Sequence, residues 1–129
     1  MSEIVVRIYL QGEGASWAKI EGKFLQLQLG TSEILLFAAP ELYAYHNQIL
    51  ARFLQERSIP HKWAEQGKLE YDCSELLVIG GGRFRVSLTD RTLTLWDNSQ
   101  AYGRFRASGL EQKIALASHP WSGYTVRIS

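Results

Sequence analysis

The sequence predicts an α+β fold: one mixed β-sheet of about six strands with two helices packed on it. Three observations support this. Runs rich in β-branched and alternating apolar residues come in groups rather than one by one between helices. One long stretch, "PELYAYHNQILARFLQERS", carries apolar residues at helical spacing. A second, "SGLEQKIALASHP", has an N-terminal capping signature. The resulting order is β-β-β-α-β-β-α-β, within a single domain spanning residues 1–129.

The first strand is "IVVRIYL", residues 4–10, followed by turn material in "QGEGAS". "KFLQLQL", residues 23–29, alternates cleanly: Lys23, Leu25, Leu27 and Leu29 share one face, and Gln26 and Gln28 take the other. "ILLFAA" reads as a more buried third strand. Pro40 opens the first helix, where its missing N–H costs nothing and Glu41 suits the positive end of the dipole. Leu42, Tyr45, His46, Ile49, Leu50, Phe53 and Leu54 form its apolar stripe, and residues 58–60 end it. "LEYDCSELLVIGGG" and "RFRVSLTDRTLTLWD" supply at least two more strands, the latter folding back at "TDRT". In the second helix Ser108 and Glu111 make the expected capping box, with Leu110, Ile114, Leu116 and Ala117 on the buried side. "YTVRIS" is the last strand.

Bulk properties exclude several function classes. Fourteen basic residues against thirteen acidic give a net charge of +1, without the basic surplus of nucleic-acid binders. One cysteine, Cys73, cannot form an internal disulfide, and its strand-like setting predicts an inert, half-buried thiol. The N-terminal "MSEIVVRIYLQ" fits neither a signal peptide nor a membrane span, so a cytoplasmic monomer away from membranes is expected. No His, Cys, Asp and Glu cluster has metal-ligand spacing, so neither metal nor other cofactor is expected.

Candidate chemistry lies in a few places. His46 interrupts the apolar stripe of the first helix; it is either a hydrogen-bonded core histidine or an imidazole aimed at a pocket, able to accept a proton or attack directly. His61 and His119, beside prolines in polar stretches, read as solvated. Gly80, Gly81 and Gly82 run into Arg83: either a bulge or bend between strands, or a concave N–H surface for an anion with a guanidinium beside it. It is not a Walker loop, lacking the Gly-Lys-Ser/Thr ending and a following helix. "NSQAYG", residues 98–103, offers the Ser99 hydroxyl in a loop at a strand end, which a plain turn also explains. Lys23, among leucines, is a snorkelling edge residue or a cation awaiting an anion.

Taken jointly, "AYHNQI", "IGGGRF" and "SQAYGRF", in this order and spacing, resemble the Janus/Ocnus family, which includes the small eukaryotic protein-histidine phosphatases. The similarity runs from about Lys23 to the C-terminus. It implies a metal-independent hydrolase of the P–N bond in phosphohistidine proteins or related small phosphoramidates. It further implies His46 as the catalytic residue, Arg83 at the phosphate site, Ser99 and Ala101 in the loop that holds phosphate, and Lys23 as a strand lysine implicated in activity; the Gln100–Ala101 turn is expected to offer its N–H groups to that phosphate. Where animal members carry an arginine upstream of the histidine, this chain has Ala38, and "IVVRIYL" has no clear counterpart. Two other functions fit the residues: a phosphate- or phosphoprotein-binding module without turnover, and a protein-interaction domain using Trp17, Trp63, Trp96 and Trp121.

Overall fold

The structure, a computed structural model, describes residues 4–9, 19–39 and 45–129. It is α+β, as the patterning predicts: a six-stranded mixed sheet with two helices. The strands are β1 (Ile4–Tyr9), β2 (Lys19–Leu29), β3 (Ser32–Ala38), β6 (Leu76–Ser87), β7 (Thr92–Trp96) and β8 (Thr125–Ile128), in the order β1-β3-β2-β6-β7-β8. The outer pairs β1–β3 and β7–β8 are parallel and the inner ladders antiparallel. β4 (His61–Trp63) and β5 (Leu69–Tyr71) form a separate two-stranded ribbon, so the "LEYDCSELLVIGGG" run is two strands rather than one. Cys73 lies in the link between them, half-buried and unpaired. No helix among the described residues is long and apolar enough to cross a membrane.

Strand alternation sorts the core into two halves. Leu25, Leu27, Ile34, Leu36 and Ala38 meet Ile49, Leu50, Phe53 and Leu54 of α1 (His46–Glu56). On the opposite face, Phe24, Leu35, Phe37, Phe84, Val86, Leu93 and Leu95 meet Leu110 and Ile114 of α2 (Leu110–Leu116), with Phe105 and Trp121. Each such aliphatic or aromatic side chain taken fully out of water contributes about 1.5–3 kcal/mol. "ILLFAA" is buried on both faces because both helices cover its strand.

Several expectations give way to tertiary context. Residues 40–44, including Pro40, Glu41 and Leu42, lie outside the described residues, as does Trp17. Tyr45 is not on the buried stripe; it is the extended N-cap of α1, mostly exposed, with its N–H donating to Gln48 Oε1. Ser108 does not cap α2. Gly109, in the left-handed region at φ 71°, takes the cap, which leaves Glu111 one position short of the capping-box site. Leu116 is exposed rather than buried. His119 is not solvated: its Nε2–H donates to the Ile114 carbonyl at 2.8 Å and its Nδ1 accepts the Trp121 N–H, tying down the end of α2. Trp121 is core, and Trp63, on the ribbon, is half exposed.

The largest departure concerns Gly80, Gly81 and Gly82. They neither bend the chain nor leave the sheet, but lie inside the twelve-residue β6, paired to Gln26, Leu25 and Phe24 of β2. The bulge sits one residue earlier, where the β2–β6 register skips Ile79. A side chain at Gly80 would collide with the Arg104 carbonyl, and one at Gly82 with that of Trp96. Glycine is used here because other backbone comes too close for a Cβ.

Candidate functional site

A cleft of about 470 Å³ opens between the start of α1, the middle of β2 and β6, and loop 97–103. Lys23, His46, Arg83, Ser99, Gln100 and Ala101, all named from sequence, line it together. Tyr45, Asn47, Asp97 and Asn98 complete the wall.

His46 is the first residue of α1, and α1 lies across the face of β2 that carries Leu25 and Leu27. That placement drops the imidazole onto Gly81. A Cβ at Gly81 would fall 2.7 Å from Cδ2 and 2.9 Å from Nε2 of the ring, closer than atoms pack. The central glycine therefore makes room for His46. The ring is only 7% exposed, and Nε2–H donates to the Gly82 carbonyl at 3.0 Å. Neutral imidazole has one N–H, so Nδ1 keeps the lone pair. Burial, and after it the Lys23 ammonium, holds the pKa below the ordinary value, against the opposing pull of the Gly82 and Phe24 backbone and of Asp97. His46 is both a satisfied buried histidine and a ring on the cleft wall.

Lys23 and Arg83 are direct cross-strand partners, one on β2 and one on β6. Like charges opposite each other weaken a ladder. The next same-face pair, Glu21 and Arg85, shows the ordinary solution, an ion pair. The Lys23 ammonium lies 5.5 Å from the centre of the Tyr45 ring, and Arg83 Nε lies 3.3 Å from Asp97 Oδ2. Both cations stand on the cleft wall.

Loop 97–103 is a closed turn fastened to the sheet. The Ser99 and Gly103 backbones exchange hydrogen bonds of 3.0 and 2.8 Å, and Gly81 N–H donates to the Gly103 carbonyl at 3.0 Å. Ser99, nearly buried, accepts the Tyr102 N–H on Oγ at 3.1 Å, leaving its hydroxyl proton available. At the tip, the Gln100 and Ala101 N–H groups have no acceptor among the described residues. Adjacent unpaired N–H groups at a turn form a concave surface that suits an anion.

Asp97 was not singled out from sequence, because only the β6–β7 register puts it near Arg83, where Arg83 pairs with Trp96. Helical periodicity puts Tyr45 on the apolar stripe, whereas its place on the cleft wall follows from its being the cap of α1. Ala38 is fully buried in β3, paired with Lys23, and supplies no charge at the mouth of the cleft. Among the described residues no group of three or more His, Cys, Asp or Glu side chains is placed to hold a metal ion. Compared with models of known protein families and with curated proteins, the chain matches none.

Proposed function

We propose that this cleft hydrolyses the P–N bond of phosphohistidine in proteins, or of a related small phosphoramidate, without a metal. The observation that carries the reading is the convergence on one cleft of a neutral imidazole, two cations from adjacent strands and two N–H groups with no acceptor among the described residues. Phosphoryl transfer asks for positioning and neutralisation of the equatorial oxygens more than for covalent help. Lys23, Arg83, the Ser99 hydroxyl and the Gln100 and Ala101 N–H groups supply that cradle. His46 accepts the proton of an in-line water, or attacks phosphorus itself. In the first route the water oxygen bonds phosphorus as the P–N bond breaks, the P–N electron pair goes to the departing nitrogen, which is protonated, and inorganic phosphate leaves. In the second, His46 takes the phosphoryl group as the substrate nitrogen departs protonated, and a water then breaks the new P–N bond, freeing His46 and inorganic phosphate. The three quoted patches that resemble the Janus/Ocnus family supply most of these side chains, and the single free cysteine suits a reducing, cytoplasmic setting.

The test is phosphate release from a phosphohistidine peptide in the presence of a chelator, with His46→Ala as control. Turnover abolished in a folded His46→Ala chain supports the reading; turnover retained, or none in the unaltered chain, contradicts it. The second reading, a binding module without turnover, is favoured by Ala38 in place of a cation and by Asp97 on Arg83. Saturable phosphate binding without hydrolysis would establish it instead.

A further inference from the structure

Asp97 is the one carboxylate among the described residues lining the cleft. A negative charge beside an anion cradle works against binding a phosphate dianion, yet this one is held firmly in place. Its backbone lies in the left-handed region at φ 73°, which few residues other than glycine adopt, although aspartate tolerates it better than most. Arg104 secures that conformation, with Nη1 donating to the Asp97 carbonyl at 2.9 Å and Nη2 to the Ser129 carbonyl at 2.6 Å. The side chain is oriented too: Oδ1 accepts the Asn98 N–H at 2.9 Å, and Oδ2 faces Arg83 Nε at 3.3 Å. That ion pair is largely exposed and so individually weak, leaving both partners able to serve a ligand.

We infer that Asp97 is a specificity-determining residue, meeting the protonated nitrogen of the leaving group and selecting phosphoramidates over phosphate esters and inorganic phosphate. The inference rests on the reading of the cleft as a phosphoryl site. A carboxylate only accepts hydrogen bonds. The nitrogen on phosphorus of a small phosphoramidate, or the second ring nitrogen of a phosphorylated imidazole, carries a proton and a positive charge near neutral pH and satisfies it. A bridging ester oxygen carries neither hydrogen nor positive charge, and inorganic phosphate offers a P–OH but no positive charge, so with either ligand the carboxylate faces negative phosphate oxygens without a compensating cation. Attraction for one ligand and repulsion of the other act in the same direction.

The experiment is calorimetric titration with phosphoramidate, whose zwitterion carries an ammonium on phosphorus, and with inorganic phosphate. It uses the unaltered chain and Asp97→Asn, each with His46 and with His46→Gln, which blocks turnover and keeps a donor for the Gly82 carbonyl. Asparagine tolerates the same backbone, so the loop is kept. The chain with Asp97 should prefer phosphoramidate by about tenfold, and Asp97→Asn should bring the ratio toward one. A ratio that stays unchanged or moves the other way overturns the role of Asp97 and leaves the phosphoryl cleft standing. Failure of every chain to bind either ligand overturns both.

Discussion

The sheet carries buried polar groups on both faces, and the two sets differ in how completely they are paired. On the α2 face, Gln26 and Glu33 are almost wholly buried. Gln26 Nε2 donates to Glu33 Oε2 at 2.9 Å and to the Arg106 carbonyl, its Oε1 accepts the Arg106 N–H at 2.7 Å, and Lys113 donates to Glu33 Oε1 at 2.8 Å. Donors and acceptors close on one another and pin α2 and the chain before it to β2 and β3. On the α1 face, His46 and Ser99 are buried too, but the imidazole keeps Nδ1, the hydroxyl keeps its proton, two N–H groups have no acceptor among the described residues, and two cations face each other across a ladder. Burial alone marks neither set as functional. Spare hydrogen-bonding capacity and an excess of positive charge on one hollow, where Asp97 answers Arg83 and no carboxylate among the described residues answers Lys23, distinguish the second.

Breaking each set should therefore have different consequences. The largest effect expected is on turnover: His46→Ala should lower phosphohistidine hydrolysis by about 10²–10⁴-fold, the usual range for a proton-transfer group, as read by phosphate release. Gly81→Ala comes next. Its methyl must displace the imidazole or the Phe24 carbonyl, so activity should fall about 10²-fold and stability by about 1–3 kcal/mol, measured by assay and denaturant melt. Glu33→Ala should show the opposite profile. It takes the carboxylate from Lys113 and one of its partners from Gln26, which keeps the Arg106 backbone, and should cost about 1–3 kcal/mol, while phosphate affinity stays unchanged.

The pH dependence sharpens the same contrast. Because burial lowers the His46 pKa, the neutral ring persists below the usual histidine range. kcat/KM should stay level from about pH 8 to about 6.5 and decline only below that. The sign for stability agrees. The unfolded chain takes up a proton near about 6.5 that the folded chain resists, so stability should decline as pH falls below that value and level off under the folded pKa. His46→Gln should remove this limb from melting curves taken across pH. A limb that survives the substitution would assign it to another group.

How much of this was readable in the sequence depends on how local its cause is. The period-two runs and the stripe Ile49, Leu50, Phe53 and Leu54 report burial directly, so the sheet and first helix were legible. The alternation puts Gln26 opposite the leucines without saying what covers that face; α2 packs there, and Glu33 and the Arg106 backbone are its partners. The glycine triplet reads as a bend or loop because glycine weakens strands, whereas its reason for being there lies in Arg104, His46 and Trp96, remote in sequence or across the ladder. Ser108 misled through a one-residue offset, and the ribbon strands β4 and β5 were too short and too exposed to leave a pattern. His46, Arg83, Lys23 and the Ser99 loop were nameable because each is chemically unusual for its position: an imidazole among leucines, an arginine after three glycines, a lysine on an apolar face, a hydroxyl at a strand end. Asp97 carried no such signal.

The central claim, that the cleft takes a phosphoryl group against His46 and the 100–101 turn, is tested most directly by titrating inorganic phosphate into isotope-labelled protein and following imidazole and amide resonances. The account predicts saturable shifts at His46 and at the Gln100 and Ala101 N–H groups, with His61 and His119 unmoved. Shifts confined to His61 or His119, or none at His46 as phosphate saturates, would contradict it.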